Sequence, residues 1–227
     1  MANKNLKKTK IFLRGSSHVL PRNLNWNVWH LNWDVLRDLP SALNTLFLRE
    51  EFNPGGRFEL PEVRGVPGGR LDEQCVNDIM ATVFQNWDNP QLHIMLRGSN
   101  DIRSAQDNLV LLRRIEQLCL FFKECRDKGA KAHLIICTPV PSPKTPNLEP
   151  MFRDTDDIIG LLLKFDDFKD SAKGIQPSYL NLSSLVPFRD GDGKVETEID
   201  KGSLFQPDLI HLNVVGTAKG CTKLQIR

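Results

Sequence analysis

The sequence lacks any long apolar run. No window of its 227 residues approaches the roughly 18 consecutive apolar residues of a transmembrane helix. The first ten residues, MANKNLKKTK, lead into a short apolar strand without the apolar core of a signal peptide. These absences predict a soluble, cytoplasmic protein.

Cysteine is scarce, and its spacing is irregular. The number is odd, no CxxC pair occurs, and three of the residues lie in apolar segments. This pattern favours reduced core thiols over a disulfide framework or a zinc site, and we expect no metal. The five residues are Cys75, Cys119, Cys125, Cys137 and Cys221.

A large excess of charge of either sign is also lacking. A net charge of +2 and a pI near 8.3 fall short of the basic balance of a dedicated nucleic-acid domain. The basic residues of the first ten are best explained as a solvated lead-in, and contact with phosphates is the alternative. They are Lys4, Lys7, Lys8 and Lys10.

The remaining chain, residues 11–227, is predicted to form one domain, because its 40% hydrophobic and 26% charged residues are ordinary globular material. Apolar runs predict strands at Ile11 onward, within 48–73, and at 92–96, 132–140 and 178–186. Helical periodicity separates them. Alternating strands and helices indicate an α/β fold with a mostly parallel sheet and helices on both faces.

Three helices are predicted from apolar periodicity and caps. In chain order, the first helix has a clear apolar stripe, the second ends at Lys128 and Gly129, and the third is capped by Asp154 or Thr155. The stripe of the first is Val76, Ile79, Met80, Val83 and Phe84, and that of the second is Ala105, Leu109, Leu112, Ile115, Cys119 and Phe122.

Trp26, Trp29 and Trp33 recur at helical spacing, which places three indoles on one side of a helix. A core-facing stripe is the favoured interpretation. A substrate-binding aromatic wall is the alternative.

Polar, glycine-containing turns follow the first three predicted strands. They read RGSSH, RGVPGG and RGSND. Because ligands of parallel sheets bind beyond the carboxyl ends of the strands, these turns are predicted to meet at one site.

Side chains suited to acyl transfer lie in these turns and near the end of the chain. Ser17 follows Gly15 at a tight turn, and Asp208 precedes His211 by three residues, close enough to orient its imidazole. The backbone N–H of Gly68 and the amide of Asn100 are candidate donors to an oxyanion. Taken singly, each has a plainer explanation: a loop serine, a helix-capping histidine, a turn asparagine.

These blocks, in this order, resemble those of the SGNH or GDSL-type hydrolases. The resemblance covers about Ile11 to Gly220 and rests on Gly-x-Ser, a glycine-rich turn, Gly-Ser-Asn-Asp and Asp-x-x-His. It implies a flavodoxin-like three-layer α/β/α sandwich and hydrolysis of carboxylic esters of sugars, lipids or thiols. It implies no cofactor. The Gly-x-Ser-x-Gly elbow of the other serine esterase fold is absent.

The resemblance also implies site roles. Ser17 is the expected nucleophile, His211 its base and Asp208 the partner of the base. The Ser17 N–H, the Gly68 N–H and the Asn100 side chain are the expected oxyanion hole. One departure stands out, since Ser16 occupies the place of the aspartate in the family's Gly-Asp-Ser block.

Three further residues are candidates for lining the substrate pocket. His18 adjoins Ser17, and consecutive side chains seldom face each other, so it is assigned to the pocket and not to the base. Arg14 and Arg97 precede two of the turns in matching positions. They either attract an anionic substrate or pair with surface carboxylates.

A binding module is the alternative function. Some proteins of this fold lack the catalytic residues and bind RNA, and the N-terminal lysines, Ser16 and the arginines suit a site that binds nucleic acid, lipid or protein. The sequence discloses neither the acyl and alcohol parts of a substrate nor the oligomeric state.

Overall fold

The computed structural model describes residues 7–16, 53–105, 108–182, 204–205, 210 and 212. The tryptophan stripe of Trp26, Trp29 and Trp33 lies outside these residues, as do Cys221 and most of the lysine-rich lead-in. The regular elements, in chain order, are β1 (Lys10–Gly15), β2 (Glu62–Gly65), α1 (Glu73–Gln85), β3 (Gln91–Leu96), α2 (Ser99–Ala105), α3 (Leu109–Asp127), β4 (Ala132–Cys137), α4 (Glu149–Leu162) and β5 (Ser178–Leu180).

The five strands form one parallel sheet in the order β2-β1-β3-β4-β5. This is the flavodoxin-like order, and it confirms the predicted α/β class. Lys10 to Gly15 of β1 pair in unbroken register with Gln91 to Leu96 of β3. The carboxyl ends of these central strands are therefore level with each other.

Both faces of the sheet are buried, which is why its strands are continuous apolar runs. One face packs against α1, α3 and α4, with Val76, Ile79 and Phe122 in that layer. The opposite face buries Leu13 and Ile94 among other apolar side chains. The residues that cover this second face include Val140, Leu182, Leu204, Phe205 and Leu212.

α1 matches its predicted position. Asp72 caps it by accepting a hydrogen bond from the Cys75 N–H at 2.8 Å. One member of the predicted stripe does not face the core, because Phe84 is 59% exposed and stacks on Trp87 with ring centroids 5.9 Å apart.

The predicted long helix is two helices, α2 and α3. Asn108 lies at the start of α3 and donates from its amide to the Thr155 hydroxyl at 3.1 Å, which ties this start to α4. The helix therefore presents Leu111 and Leu118 to the core, whereas Leu109 is 50% exposed. The predicted stripe was wrong at that end.

α4 begins at Glu149, five residues before the predicted cap at Asp154. Pro150 occupies the first turn, where its missing N–H has no helical partner to lose. Thr155 lies inside the helix, buried, and its hydroxyl donates to the Met151 carbonyl at 2.6 Å. A hydroxyl that bonds back along its own helix gives the same sequence signal as a cap.

The cysteine prediction is confirmed for the described part of the chain. Cys119, Cys125 and Cys137 are buried free thiols, and Cys75 is a half-buried one. Burial raises the pKa of the Cys119 and Cys137 thiols to about 12. None of the helices in the described ranges combines the length and apolarity that crossing a bilayer requires.

A histidine is buried in the middle of the sheet. His93 stacks on Phe12 with ring centroids 4.8 Å apart and meets Phe122 edge-on at 5.1 Å. Its Nε2 lies 2.8 Å from Gln91 Oε1, and its Nδ1 has no partner in the described structure. Burial, together with the positive charge of Arg14, lowers the pKa of His93 from 6.5 to about 3.

Acid is expected to destabilise the protein through His93. Between pH 6.5 and about 3 the unfolded chain binds a proton at this imidazole and the folded chain does not, so folding is progressively disfavoured as the pH falls through that window. Above pH 6.5 the ring is neutral in both states and the effect is absent.

His93→Phe keeps an aromatic ring in the stack and removes the proton site. Its free energy of unfolding relative to the wild type should rise by about 1.4 kcal/mol for each pH unit below the unfolded-state pKa. Urea unfolding at about pH 7.5 and about pH 4.5 measures the difference. Identical pH dependence in both proteins would contradict the assignment.

Candidate active site

The candidate site lies at the carboxyl ends of β2, β1 and β3, where the strand order reverses. Ligands of such sheets bind in the crevice at this reversal. Ser16 follows β1 and is buried. Because β2 and β3 flank β1, the turns that follow them stand on either side of the end of β1.

The turn after β2, residues 66–71, is called the glycine turn here. Gly68 has φ of 66°, a conformation that favours glycine, and no atom lies within 4 Å of the position of a Cβ there. The Gly69 N–H closes the turn by donating to the Val66 carbonyl at 2.8 Å. Within the described residues the Gly68 N–H makes no hydrogen bond, so it is available to a ligand.

Asn100, in the first turn of α2, crosses from the β3 side to the glycine turn. Its Nδ2 donates to the Gly69 carbonyl at 3.2 Å. A primary amide has two N–H donors, so one remains after this bond. Asn100 and Gly68, both predicted from the sequence, therefore lie at the same site.

Two more side chains from the β3 side hold the same turn. Arg97 Nη1 donates to the Arg70 carbonyl at 2.7 Å. The Asp101 carboxylate accepts the Leu71 N–H, with its two oxygens at 3.0 and 3.2 Å from the nitrogen. Burial raises the pKa of Asp101, and the Leu71 hydrogen bond opposes that rise.

The sequence interpretation did not assign these holding contacts. The sequence carries no periodic signal for them, because Arg97 precedes α2 and the carbonyl that it contacts lies 27 residues away in the chain.

Arg14 is buried on the other side of this region. Its guanidinium pairs with the Asp78 carboxylate and donates to the Thr82 hydroxyl, both on α1. Arg64 on β2 reaches the second oxygen of Asp78 at 2.9 Å. Burial lowers the pKa of Arg14, and the attraction of Asp78 opposes this. A pocket role for Arg14 stays a prediction.

Ser17, His18, Asp208 and His211 lie outside the described residues, so their roles stay predictions. Two residues that bracket the predicted acid and base are described. Phe205 and Leu212 form an antiparallel β-bridge, and both pack with the apolar side chains of the second sheet face. Among the described residues, no group of three or more His, Cys, Asp or Glu side chains is arranged to hold a metal ion.

Gly69 is the residue of the turn with no room for a side chain. A Cβ there would overlap the Arg97 guanidinium and lie 2.8 Å from the Val66 carbonyl oxygen. Gly69→Ala is therefore expected to lower the free energy of unfolding by about 1 to 3 kcal/mol, the usual effect of overpacking.

Gly160→Ala is the control, since a Cβ there meets only ordinary contacts with Tyr179 at 3.6 Å or more. Alanine favours a helix over glycine by about 1 kcal/mol, so this variant should be neutral or more stable. Chemical denaturation compares the two. A Gly69→Ala protein as stable as the wild type would contradict the packing described for the turn.

Neither a scan of protein-family models nor a search of curated proteins finds a match to this chain. Solved structures do match. A member of the lipolytic protein G-D-S-L family from Veillonella parvula superposes with a TM-score of 0.55 at 13% identity, covering 95% of each chain. A carbohydrate esterase family 3 protein from Talaromyces cellulolyticus gives 0.59 at 11%, covering 96% of this chain and 94% of the other.

A mutant of an acetyl-xylooligosaccharide esterase from Geobacillus gives a TM-score of 0.54 at 12% identity, with 99% and 98% of the two chains covered. The likeness extends over almost the whole of each chain. At these identities it concerns the fold. The chain thus has the fold of GDSL-type lipolytic proteins and esterases, which is the resemblance that its sequence blocks indicate.

Proposed function

We propose that this protein hydrolyses carboxylic esters through an acyl-enzyme on Ser17. The observation that carries the proposal is that the Asn100 amide binds the carbonyl of Gly69, next to Gly68, whose N–H is unbonded within the described residues. Both lie on turns that follow the two neighbours of β1. Ser17 is one residue beyond the buried Ser16. The fold shared with esterases supports the same reaction class.

In the proposed first half-reaction, Ser17 Oγ attacks the acyl carbonyl carbon while His211 takes the hydroxyl proton. Asp208 orients the imidazole and stabilises its positive charge. The carbonyl oxygen becomes an oxyanion that accepts from the Ser17 and Gly68 N–H groups and from Asn100. The tetrahedral intermediate then expels the alcohol, which receives its proton from His211.

In the second half-reaction, His211 removes a proton from water, and the water oxygen attacks the acyl carbon. The same donors hold the second oxyanion. Collapse of this intermediate releases the carboxylic acid and returns the proton to Ser17. His211 accepts and then returns one proton in each half-reaction, so the proposed reaction needs no cofactor.

The binding-module alternative gains little from the arginines. Arg14 binds Asp78 and Thr82, and Arg97 donates one hydrogen bond to the Arg70 carbonyl, so both side chains have partners inside the protein. A surface that attracts a polyanion needs positive charges that reach solvent.

Ser17→Ala is expected to abolish hydrolysis of p-nitrophenyl acetate, because no other group in the proposal forms the acyl-enzyme. Ser104→Ala is the matched control, since Ser104 is exposed on α2 and has no role in the proposal. Rates are followed by release of p-nitrophenol. An undiminished rate in Ser17→Ala would overturn the nucleophile assignment.

Asn100→Ala should leave measurable turnover with kcat lowered about 100- to 1000-fold, the usual effect of removing one oxyanion donor. Asn86→Ala, at the far end of α1, removes an amide that bonds to Lys10 and should leave kcat unchanged. If Asn100→Ala matches the wild type in kcat, Asn100 is only a turn residue.

A further inference from the structure

Arg97 is a buried charge with an uncommon partner. It is 7% exposed and directly follows β3. Its one hydrogen bond within the described residues goes to a backbone carbonyl, that of Arg70, at 2.7 Å. No carboxylate in the described ranges lies within salt-bridge distance of it, and its Nε has no partner there.

Burying a guanidinium without a carboxylate in direct contact is unfavourable, because the charge gives up water and the attraction of Asp101 acts only from beyond salt-bridge distance. A surface arginine would perform general electrostatic roles at lower free energy. The burial is explained if this position requires a rigid, planar donor on the inner side of the glycine turn.

The glycine turn rests directly on this guanidinium. The space that a Cβ of Gly69 would need is occupied by Arg97 Nη1. The backbone that carries Arg97 is itself confined, since Gly98 has φ of 117° and a Cβ there would lie 2.7 Å from Pro139 Cγ. Arg97 is thus a fixed support below the turn, and Gly69 is the residue that lets the turn approach it.

We propose that Arg97 is a positioning residue: it holds the glycine turn at the distance and tilt that aim the Gly68 N–H at the substrate oxyanion. This inference rests on the proposed function. It differs from the sequence expectation that Arg97 contacts an anionic substrate, because the one hydrogen bond of its guanidinium within the described residues goes to the turn. Gly68 is one residue from Gly69 and two from Arg70, so a shift of either moves the donor.

The test compares Arg97→Met and Arg97→Lys with Arg126→Met. Arg126, in the last turn of α3, is the control: its buried side chain donates to the Phe168 and Ile175 carbonyls at 3.0 and 3.1 Å, and it also pairs with the Asp170 carboxylate at 3.8 Å. Two readouts are taken: kcat and KM with a neutral and an anionic p-nitrophenyl ester, and amide hydrogen exchange of the peptide covering 66–71.

Arg97→Met should lower kcat about 10- to 100-fold on both esters, since a misplaced donor weakens the transition state. KM should change less than about threefold, and exchange at 66–71 should accelerate. Arg97→Lys keeps a charged donor and should be intermediate in both readouts. Arg126→Met should accelerate exchange near 168–175 and leave kcat and residues 66–71 unchanged.

A rise in KM confined to the anionic ester, with kcat and exchange as in the wild type, would assign Arg97 to substrate binding and overturn the proposal. If Arg97→Met does not fold, Arg97→Lys decides: unchanged kcat and exchange would overturn it. A wild-type chain without esterase activity would refute the proposed function, whereas exchange at 66–71 would still test whether Arg97 holds the turn.

Discussion

The contact between the glycine turn and the start of α2 is the constraint on which the rest of the site depends. It spans the end of β1, because the turn follows β2 and α2 follows β3, the two neighbours of β1 in the sheet. Three consecutive residues, Gly69, Arg70 and Leu71, each give one backbone group to it. In the proposal, these held groups fix the direction of the Gly68 N–H, although its own residue is glycine.

The sheet makes this contact possible. Parallel strands in level register bring their carboxyl ends to one edge, and the reversal of strand order leaves a crevice there. Catalysis of acyl transfer needs preorganised donors more than it needs strong ones, because fixed dipoles do not have to reorient as charge develops. A turn supported from below by buried polar side chains meets that need, and it links the packing of the fold to the proposed chemistry.

Much of this followed from the sequence, and the failures have physical causes. Strands such as 92–96 were predictable because burial on both faces makes them continuously apolar. Asn100 and Gly68 were identified because their motifs recur in order at strand ends. The start of α4 was misplaced because Thr155 bonds within its helix, and Leu109 was misassigned because a helix boundary shifts the buried stripe. The contact of Arg97 with the glycine turn could not be predicted from the sequence, since no periodicity encodes a contact between a side chain and a distant carbonyl.

The central claim is that Ser17 is an activated nucleophile, and an active-site-directed fluorophosphonate tests it most directly. The reagent reacts with serines that are activated by a base and an oxyanion hole. Treatment of the folded protein followed by peptide mass spectrometry is predicted to place one adduct on Ser17, and prior unfolding should abolish it. No adduct in the folded protein, or an adduct on a different residue, would contradict the account.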